Sequence, residues 1–271
     1  MLSFLPYLNY IHVAGYLIPV IMVFYMITVL VYMLVLTAEV KRLSLNIFTV
    51  SVIFLLYFTF ANIFSRALFI LSRIYLHHDF ENQSKVFYFY TAQKISFGVL
   101  LGLFLALILG TYLRGQKKDR YKYADAFFLS YCAGLFIMRL GDAFTRYHPG
   151  KITNSFFGVY YLGAYRHEPS FYEAIILLLI FLFSWVIRKR LKIPGFLALM
   201  MLALTSLARF LTDFFRNNDL PLANTEHSNA FVSSNYHLWI GLTLNQIAYI
   251  VLFFFASAGM LYLIKKSRFI L

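Results

Sequence analysis

Apolar residues fill this chain in seven long stretches, roughly 13–37, 46–69, 95–114, 124–144, 171–189, 194–215 and 238–264. A helix that crosses a bilayer needs about 20 mostly apolar residues, so each stretch predicts one span. The polar residues between them fall into two kinds of connection. One kind is basic: Lys41 and Arg42 follow the first span, and Arg114, Lys117, Lys118, Arg120 and Lys122 join the third to the fourth. Arg188, Lys189, Arg190 and Lys192 join the fifth to the sixth, and Lys265, Lys266 and Arg268 follow the last. The other kind, residues 70–94, 145–170 and 216–237, is longer and carries His, Asn, Tyr, Pro and Gly. Basic residues favour the cytoplasmic side, which places the N-terminus outside and the C-terminus in the cytoplasm. The pattern predicts an all-α integral membrane protein with seven transmembrane helices. Residues 1–271 form one polytopic domain, and the three longer segments form a small extracytoplasmic cap.

Composition agrees with this reading and removes alternatives. The chain is 61% hydrophobic and 13% charged, with mean hydropathy +0.73, which excludes an ordinary soluble domain. A net charge of +13 in a soluble protein would point to nucleic acid. Here 14 of the 24 Lys and Arg lie in the alternate basic connections, where they anchor at the lipid surface, and no nucleic-acid partner is implied. The single cysteine, Cys132, excludes an internal disulfide and any cysteine metal cage. It sits in an apolar run and reads as a buried structural thiol. No charged residue precedes Glu39, which fits an uncleaved first span better than a signal peptide. His77-His78-Asp79 are adjacent, cannot all face one ion, and read as a solvated loop, so no metal site is expected. Trp185 and Trp239 read as interfacial belt residues.

The candidate chemistry lies in charges inside the apolar stretches. Arg139, Glu173, Arg209 and Asp213 interrupt three consecutive spans, all toward the outer face. Charge at that depth is costly and marks a site by default. Arg209 lies 15 residues beyond Pro194, about 22 Å along a helix and still within the hydrocarbon. Arg209, Asp213 and Arg216 at i, i+4 and i+7 share one helix face. Local ion pairs, Arg139 with Asp142 and Arg209 with Asp213, are one way to satisfy these groups. Counted together, however, Arg66, Arg139, Arg209 and Arg216 outnumber Asp142, Glu173 and Asp213. A phosphate, which suits the planar guanidinium fork, would balance the excess. Arg66 alone reads as snorkelling to the interface.

These residues resemble the bacterial prolipoprotein diacylglyceryl transferases. Arg166-His167-Glu168-Pro169-Ser170-Phe171-Tyr172-Glu173-Ala174 is similar to the family's His-Pro-Ser-x-x-Tyr-Glu-Ala opening of span 5. Pro194-Gly195 matches its Pro-Gly before span 6, and Arg209-Phe210-Leu211-Thr212-Asp213-Phe214-Phe215-Arg216 follows its Arg-Phe-x-x-Glu-Phe-Phe-Arg. Gly241 to Ile247 resembles its Gly-Gln-Ile entry to the last helix, and Ser65-Arg66-Ala67-Leu68 its Gly-Gly-Arg-Leu. The resemblance implies transfer of a diacylglyceryl group from phosphatidylglycerol to the lipobox cysteine of a prolipoprotein, in the bacterial inner membrane and without a cofactor. It implies Arg139, Arg209 and His167 as catalytic residues. Gly141, Asp142, Gly150, Tyr172, Glu173, Asp213 and Arg216, with both arginines, would line the lipid site. His148, Glu173 and Asp213 are further candidates for the base that a thiol requires.

Two departures stand out. The family signature Gly-Arg-x-Gly-Asn-Phe-x-Asn-x-Glu-x-x-Gly reads here from Met138 to Gly150, with Asp142 and Thr145 for the asparagines and Tyr147 for the glutamate. A carboxylate at 142 repels a phosphate unless Arg139 pairs with it. The family's Ser-Phe-His-Gly-Gly in span 3 reads Ser96-Phe97-Gly98-Val99-Leu100, without the histidine. These departures open two alternatives: a non-catalytic lipid-binding paralogue, or a transferase with altered donor or acceptor.

Overall fold

A computed structural model describes residues 8–13, 15–77, 96–146, 148–216 and 242–268. Its elements are β1 (Tyr10–Val13), β2 (Tyr16–Pro19), α1 (Val20–Arg42), α2 (Ile47–His77), α3 (Ser96–Leu113) and α4 (Arg120–Phe144). They continue with β3 (Val159–Tyr161), β4 (Ala164–Arg166), α5 (Pro169–Ile187), α6 (Phe196–Asp213) and α7 (Leu244–Arg268). Among the described residues, six helical stretches are long and apolar enough to cross a membrane: Val20–Arg42, Ile47–Leu68, Lys117–Phe144, Pro169–Ile187, Phe196–Asp213 and Asn245–Ser267. The stretch Phe97–Leu113 in α3 is apolar but shorter. Large apolar side chains face outward along these helices, including Met26, Leu34, Leu55, Leu179, Phe254 and Phe255. Lipid, unlike water, imposes no penalty on such a surface.

The contacts divide into two units, one drawn from Met1–Leu43, Ala124–Asn217 and Tyr249–Leu271, the other from Ser44–Tyr123 and Asn218–Ala248. In the first, α4 is the helix most enclosed by its neighbours. Ala126, Phe127, Leu129, Ser130, Cys132 and Ala143 on it are wholly buried. The Cys132 thiol lies 3.6 Å from the Leu177 carbonyl of α5, a packing role as expected. Gly141 lets α4 approach α1, since a Cβ there would meet the Phe24 side chain at 2.6 Å. Asp125 receives the backbone N–H groups of Gly195 and Ala198, both at 2.8 Å. It thereby caps α6, whose N-cap Gly195 holds the left-handed conformation at φ +86°. The Pro194-Gly195 pair thus has a local reason: it turns the chain into α6.

The second unit is built on the crossing of α2 and α3. Gly98 and Gly102 form a small-xxx-small pair. A Cβ on either would lie 2.5 Å from the α2 backbone, at Ser65 and Ala61 respectively. Asn46 starts α2 by accepting the N–H groups of Phe48 and Thr49 on its side chain. Thr243 and Gln246 start α7 with reciprocal side-chain bonds, a capping box.

The three longer connecting segments behave differently from one another. Residues 70–77 extend α2 rather than leaving it, because no Gly or Pro interrupts the helix there. Residues 78–94 and 217–237, with the rest of the expected cap, His78, Asp79 and Trp239, lie outside the described residues. Segment 145–170 folds into the β3–β4 hairpin, with Leu162 and Gly163 both at positive φ in its two-residue turn. Hydropathy gives no sign of this hairpin or of β1–β2, because both are only three or four residues long. The basic anchors include one exception. Arg188 does not face lipid headgroups; it is buried and pairs with Glu39 at 2.8 Å, while Arg42 takes the same carboxylate at 2.6 Å.

Gly102→Leu should force α2 and α3 apart and cost about 1–3 kcal/mol or more. Thermal unfolding in detergent would register it as a lowered midpoint, whereas Leu55→Val on the exposed face of α2 should leave the midpoint unchanged.

Candidate functional site

Glu173 sits in the first turn and a half of α5 and is wholly buried. A lone carboxylate there would be untenable, and three guanidinium groups meet it. Arg209 of α6 approaches Oε1 at 2.7 Å through Nε. Arg139 of α4 approaches Oε2 at 3.1 Å, also through Nε. Arg216, just past α6, reaches Oε2 at 3.6 Å. Arg139 also donates to Asp142 at 2.5 Å, and Arg216 lies 3.4 Å from Asp213. Tyr249 of α7 accepts from Arg209 at 3.1 Å.

The sequence's deep charges therefore converge in the first unit, with partners redistributed. Arg139 pairs with Asp142, one of the two local pairs that the spacing offers. Arg209 turns to Glu173 and Tyr249, and Asp213 holds Arg216. Arg66 belongs to the second unit. The arginine excess read from the sequence counted it; within the first unit Arg139, Arg209 and Arg216 face Glu173, Asp142 and Asp213, three against three. These arginines still carry more N–H donors than the carboxylates can accept, so formal balance leaves hydrogen-bonding capacity.

Backbone and aromatic contacts tie together the segments that carry this cluster. Gly150 bridges Arg216 and donates its N–H to the His167 carbonyl at 3.1 Å; a Cβ at Gly150 would collide with that carbonyl. Lys151 donates to the Phe215 carbonyl. His167 packs against Tyr172 and Phe215, and its Nδ1 is 3.1 Å from the Tyr172 hydroxyl, which donates to the Phe157 carbonyl. Burial, then Lys151, lowers the pKa of His167. His148 is held well below the usual histidine range by burial and by Arg216, Arg139 and Arg209, so its imidazole is neutral.

Sequence reading missed a second ion pair beside the first. Arg146 Nη1 lies 3.4 Å from Glu168 Oε2, and both side chains are 3% exposed. Arg139 and Arg146 on the α4 side thus face Glu173 and Glu168 on the α5 side, as two rungs with Asp142 between the arginines. The seven-residue spacing of Arg139 and Arg146, two helical turns, was the available signal. Burial pushes Glu168 up to about 8, against the attraction of Arg146 and the Ser170 N–H and with added repulsion from Asp142.

Two substitutions probe these carboxylates. Glu173→Gln leaves buried Arg139 and Arg209 and half-buried Arg216 without their shared anion and should cost about 3–5 kcal/mol, measurable as a lowered unfolding midpoint. Glu168 ordinarily titrates near 4.5 and here near 8. Between those values the folded chain binds more protons than the unfolded one, so its contribution to stability falls as pH rises. Above about pH 7.5, one unit beyond the ordinary histidine value, His148 and His167 no longer titrate in either state, and there Glu168→Gln should flatten the decline of midpoint with pH.

The family model for prolipoprotein diacylglyceryl transferase matches residues 10–262. The chain is 36% identical over 124 residues to a phosphatidylglycerol–prolipoprotein diacylglyceryl transferase of Aliarcobacter butzleri, covering 45% of this chain and 46% of that one. A protein of the same name from Campylobacter hominis is 27% identical over 172 residues, 63% of this chain and 56% of that one. One from Chlorobaculum tepidum is 34% identical over 130 residues, 46% and 44% of the two chains. The matches span about half the length of these curated relatives. With nearly the whole chain under the family model, and with the arginine–glutamate cluster built from the motifs that first suggested it, the chain belongs to the prolipoprotein diacylglyceryl transferase family.

Proposed function

We propose that this protein moves the diacylglyceryl group of phosphatidylglycerol onto the lipobox cysteine of a prolipoprotein signal peptide, in the bacterial cytoplasmic membrane. The observation that carries the reading is the convergence of Arg139, Arg209 and Arg216 on the single buried carboxylate of Glu173. Such a group, fixed before substrate arrives, needs little reorganisation to stabilise charge on a departing phosphate. Sulfur replaces the phosphate ester oxygen on the glycerol carbon: a C–S bond forms, the C–O bond breaks, and glycerol phosphate leaves with the electron pair. Arg139 and Arg209 hold that phosphate and Arg216 assists, while Glu173 and Asp213 orient them. Asp142 is neutralised against Arg139. Gly141 and Gly150 permit the close approaches around the site, and Tyr172 positions His167. The thiol's proton goes to a base at the start of α5, where His167 is the sequence's candidate.

The topology proposed with this function has seven spans in a single polytopic domain. The stretch at 95–114 is the seventh, the N-terminus is outside, and the C-terminus is cytoplasmic. The basic connections support it.

A second reading, a lipid-binding paralogue without turnover or a transferase of altered donor or acceptor, is favoured by one observation. Where the family motif carries a histidine, this chain has Gly98, and a Cβ there would lie 2.5 Å from the Ser65 backbone. The position has no room for any side chain.

Arg209→Ala and Arg139→Ala should each lower formation of the thioether by about a hundredfold or more, the scale of removing a fixed charge donor. The measurement is the diacylglyceryl mass shift on a lipobox peptide in phosphatidylglycerol vesicles. Unchanged rates in both variants would sink the arginine assignment. No shift in the parent protein, with arginine-dependent lipid binding retained, would select the paralogue.

A further inference from the structure

The transfer reading leaves the thiol's proton to be placed, and the base assigned to it here rests on that reading. Two groups compete at the start of α5. His167 has Nδ1 engaged with the Tyr172 hydroxyl, and its ring is wedged between Tyr172 and Phe215. A lowered pKa also makes it the weaker proton acceptor. Its neighbour Glu168 is moved the other way, toward holding a proton. It is 2% exposed, it is the N-cap residue of α5, and its Oε2 faces Arg146. Its other oxygen, Oε1, is buried and has no formed hydrogen bond among the described residues. In a site that takes a thiol, a group arriving with the substrate could use that oxygen.

The surroundings explain why the proton would stay and then leave. Among the described residues, Arg146 is the one cation paired with Glu168, at 3.4 Å, a loose contact for an ion pair. Asp142 repels its anion from the α4 side, and on α5 the Ser170 N–H attracts it. Tyr172 feels its charge from one turn away. An acid whose affinity for a proton is close to that of a free thiol, about 8.5, exchanges one with it at little cost. The rung geometry sets this group one step along α5 from the arginines around Glu173 that would hold the phosphate.

We propose that Glu168 is the catalytic base for the acceptor cysteine, taking the S–H proton on Oε1 as the sulfur attacks the glycerol carbon. The proton moves from sulfur to Oε1, the sulfur lone pair makes the new C–S bond, and the C–O electrons leave with glycerol phosphate. Arg146 steadies the carboxylate before the proton arrives and is a positioning residue. A glutamate at this place is not part of the His-Pro-Ser pattern that this segment otherwise resembles.

The test compares the parent protein, Glu168→Gln, Glu168→Asp and His167→Gln in phosphatidylglycerol vesicles with a lipobox peptide, by mass spectrometry. With Glu168 as base, Glu168→Gln should slow thioether formation about a hundredfold at pH 7. It should recover most of that near pH 9.5, about one unit above the thiol's own pKa, where the peptide arrives already ionised. Glu168→Asp, which keeps a shortened carboxylate, should fall between and recover likewise, so the outcome survives if the glutamine variant folds poorly. His167→Gln should show a loss that pH does not repair. A Glu168→Gln rate equal to the parent at pH 7, or a loss equal at both pH values in both Glu168 variants, overturns the assignment while leaving the transfer reading in place. No product from the parent protein overturns the transfer reading and this assignment together.

Discussion

A single carboxylate with no exposure to solvent, Glu173, sets the terms for much of the first unit. Ionised, it is untenable among apolar helices unless cations come to it; neutral, it would leave three arginines without their shared anion. The solution seen here recruits Arg139 from α4, Arg209 from α6 and Arg216 from the turn beyond α6. Those bonds require the three helices to meet at one level. They also require the chain after α6 to double back, which the Gly150–Arg216 bridge and the Lys151–Phe215 bond secure from the other side. Ion pairs of this kind give little net stability over apolar packing. Their effect is geometric, since they fix the arginines in place around one carboxylate, the arrangement that the proposed phosphate site would use.

The remaining polar groups of this unit follow the same economy. Between Glu173 and Arg188, α5 carries no charge. Its charged neighbours sit at its two ends: Glu168 and Glu173 at one, Arg188 with Glu39 at the other. Asp125 likewise lies at a helix end, where it satisfies backbone N–H groups of α6 that would otherwise be orphaned in an apolar setting. Charge on α5 is therefore confined to its two ends, and both ends are tied by ion pairs to other elements. This arrangement leaves the outer faces apolar, which suits lipid.

Gly98 carries a different lesson. The same residue that removes the family's histidine also makes the closest helix crossing of the second unit possible. Replacing it with any larger residue would separate α2 from α3, so the chemistry of that position and the packing of the unit are coupled. Any proton transfer in this protein must be served from elsewhere. Among the described residues of the first unit that lie outside its spans, His148, His167 and Glu168 have their proton affinity moved by burial. The two imidazoles are moved away from accepting a proton, and the carboxyl is moved toward it.

The places of the apolar helices and the identity of the deep charges were legible in the sequence, because each depends on a residue and its near neighbours. Twenty apolar residues predict a helix that can cross a membrane whatever surrounds it, and a charge within them announces a site. The motifs around Glu173 and Arg209 were legible for the same reason. Which charge meets which was not. Arg209 with Asp213 is the pair that i, i+4 spacing offers, yet Arg209 bonds Glu173 and Tyr249, both distant in sequence. Arg188 read as a lipid anchor because its partner Glu39 lies four helices earlier in the chain. Glu168 and Arg146 read as loop residues because only the packing of α5 against α4 buries them. Local hydropathy determines where a helix can exist. The pairing of charges is a long-range electrostatic problem, and the tertiary structure decides it because a buried charge must take whichever partner the packed helices bring within reach.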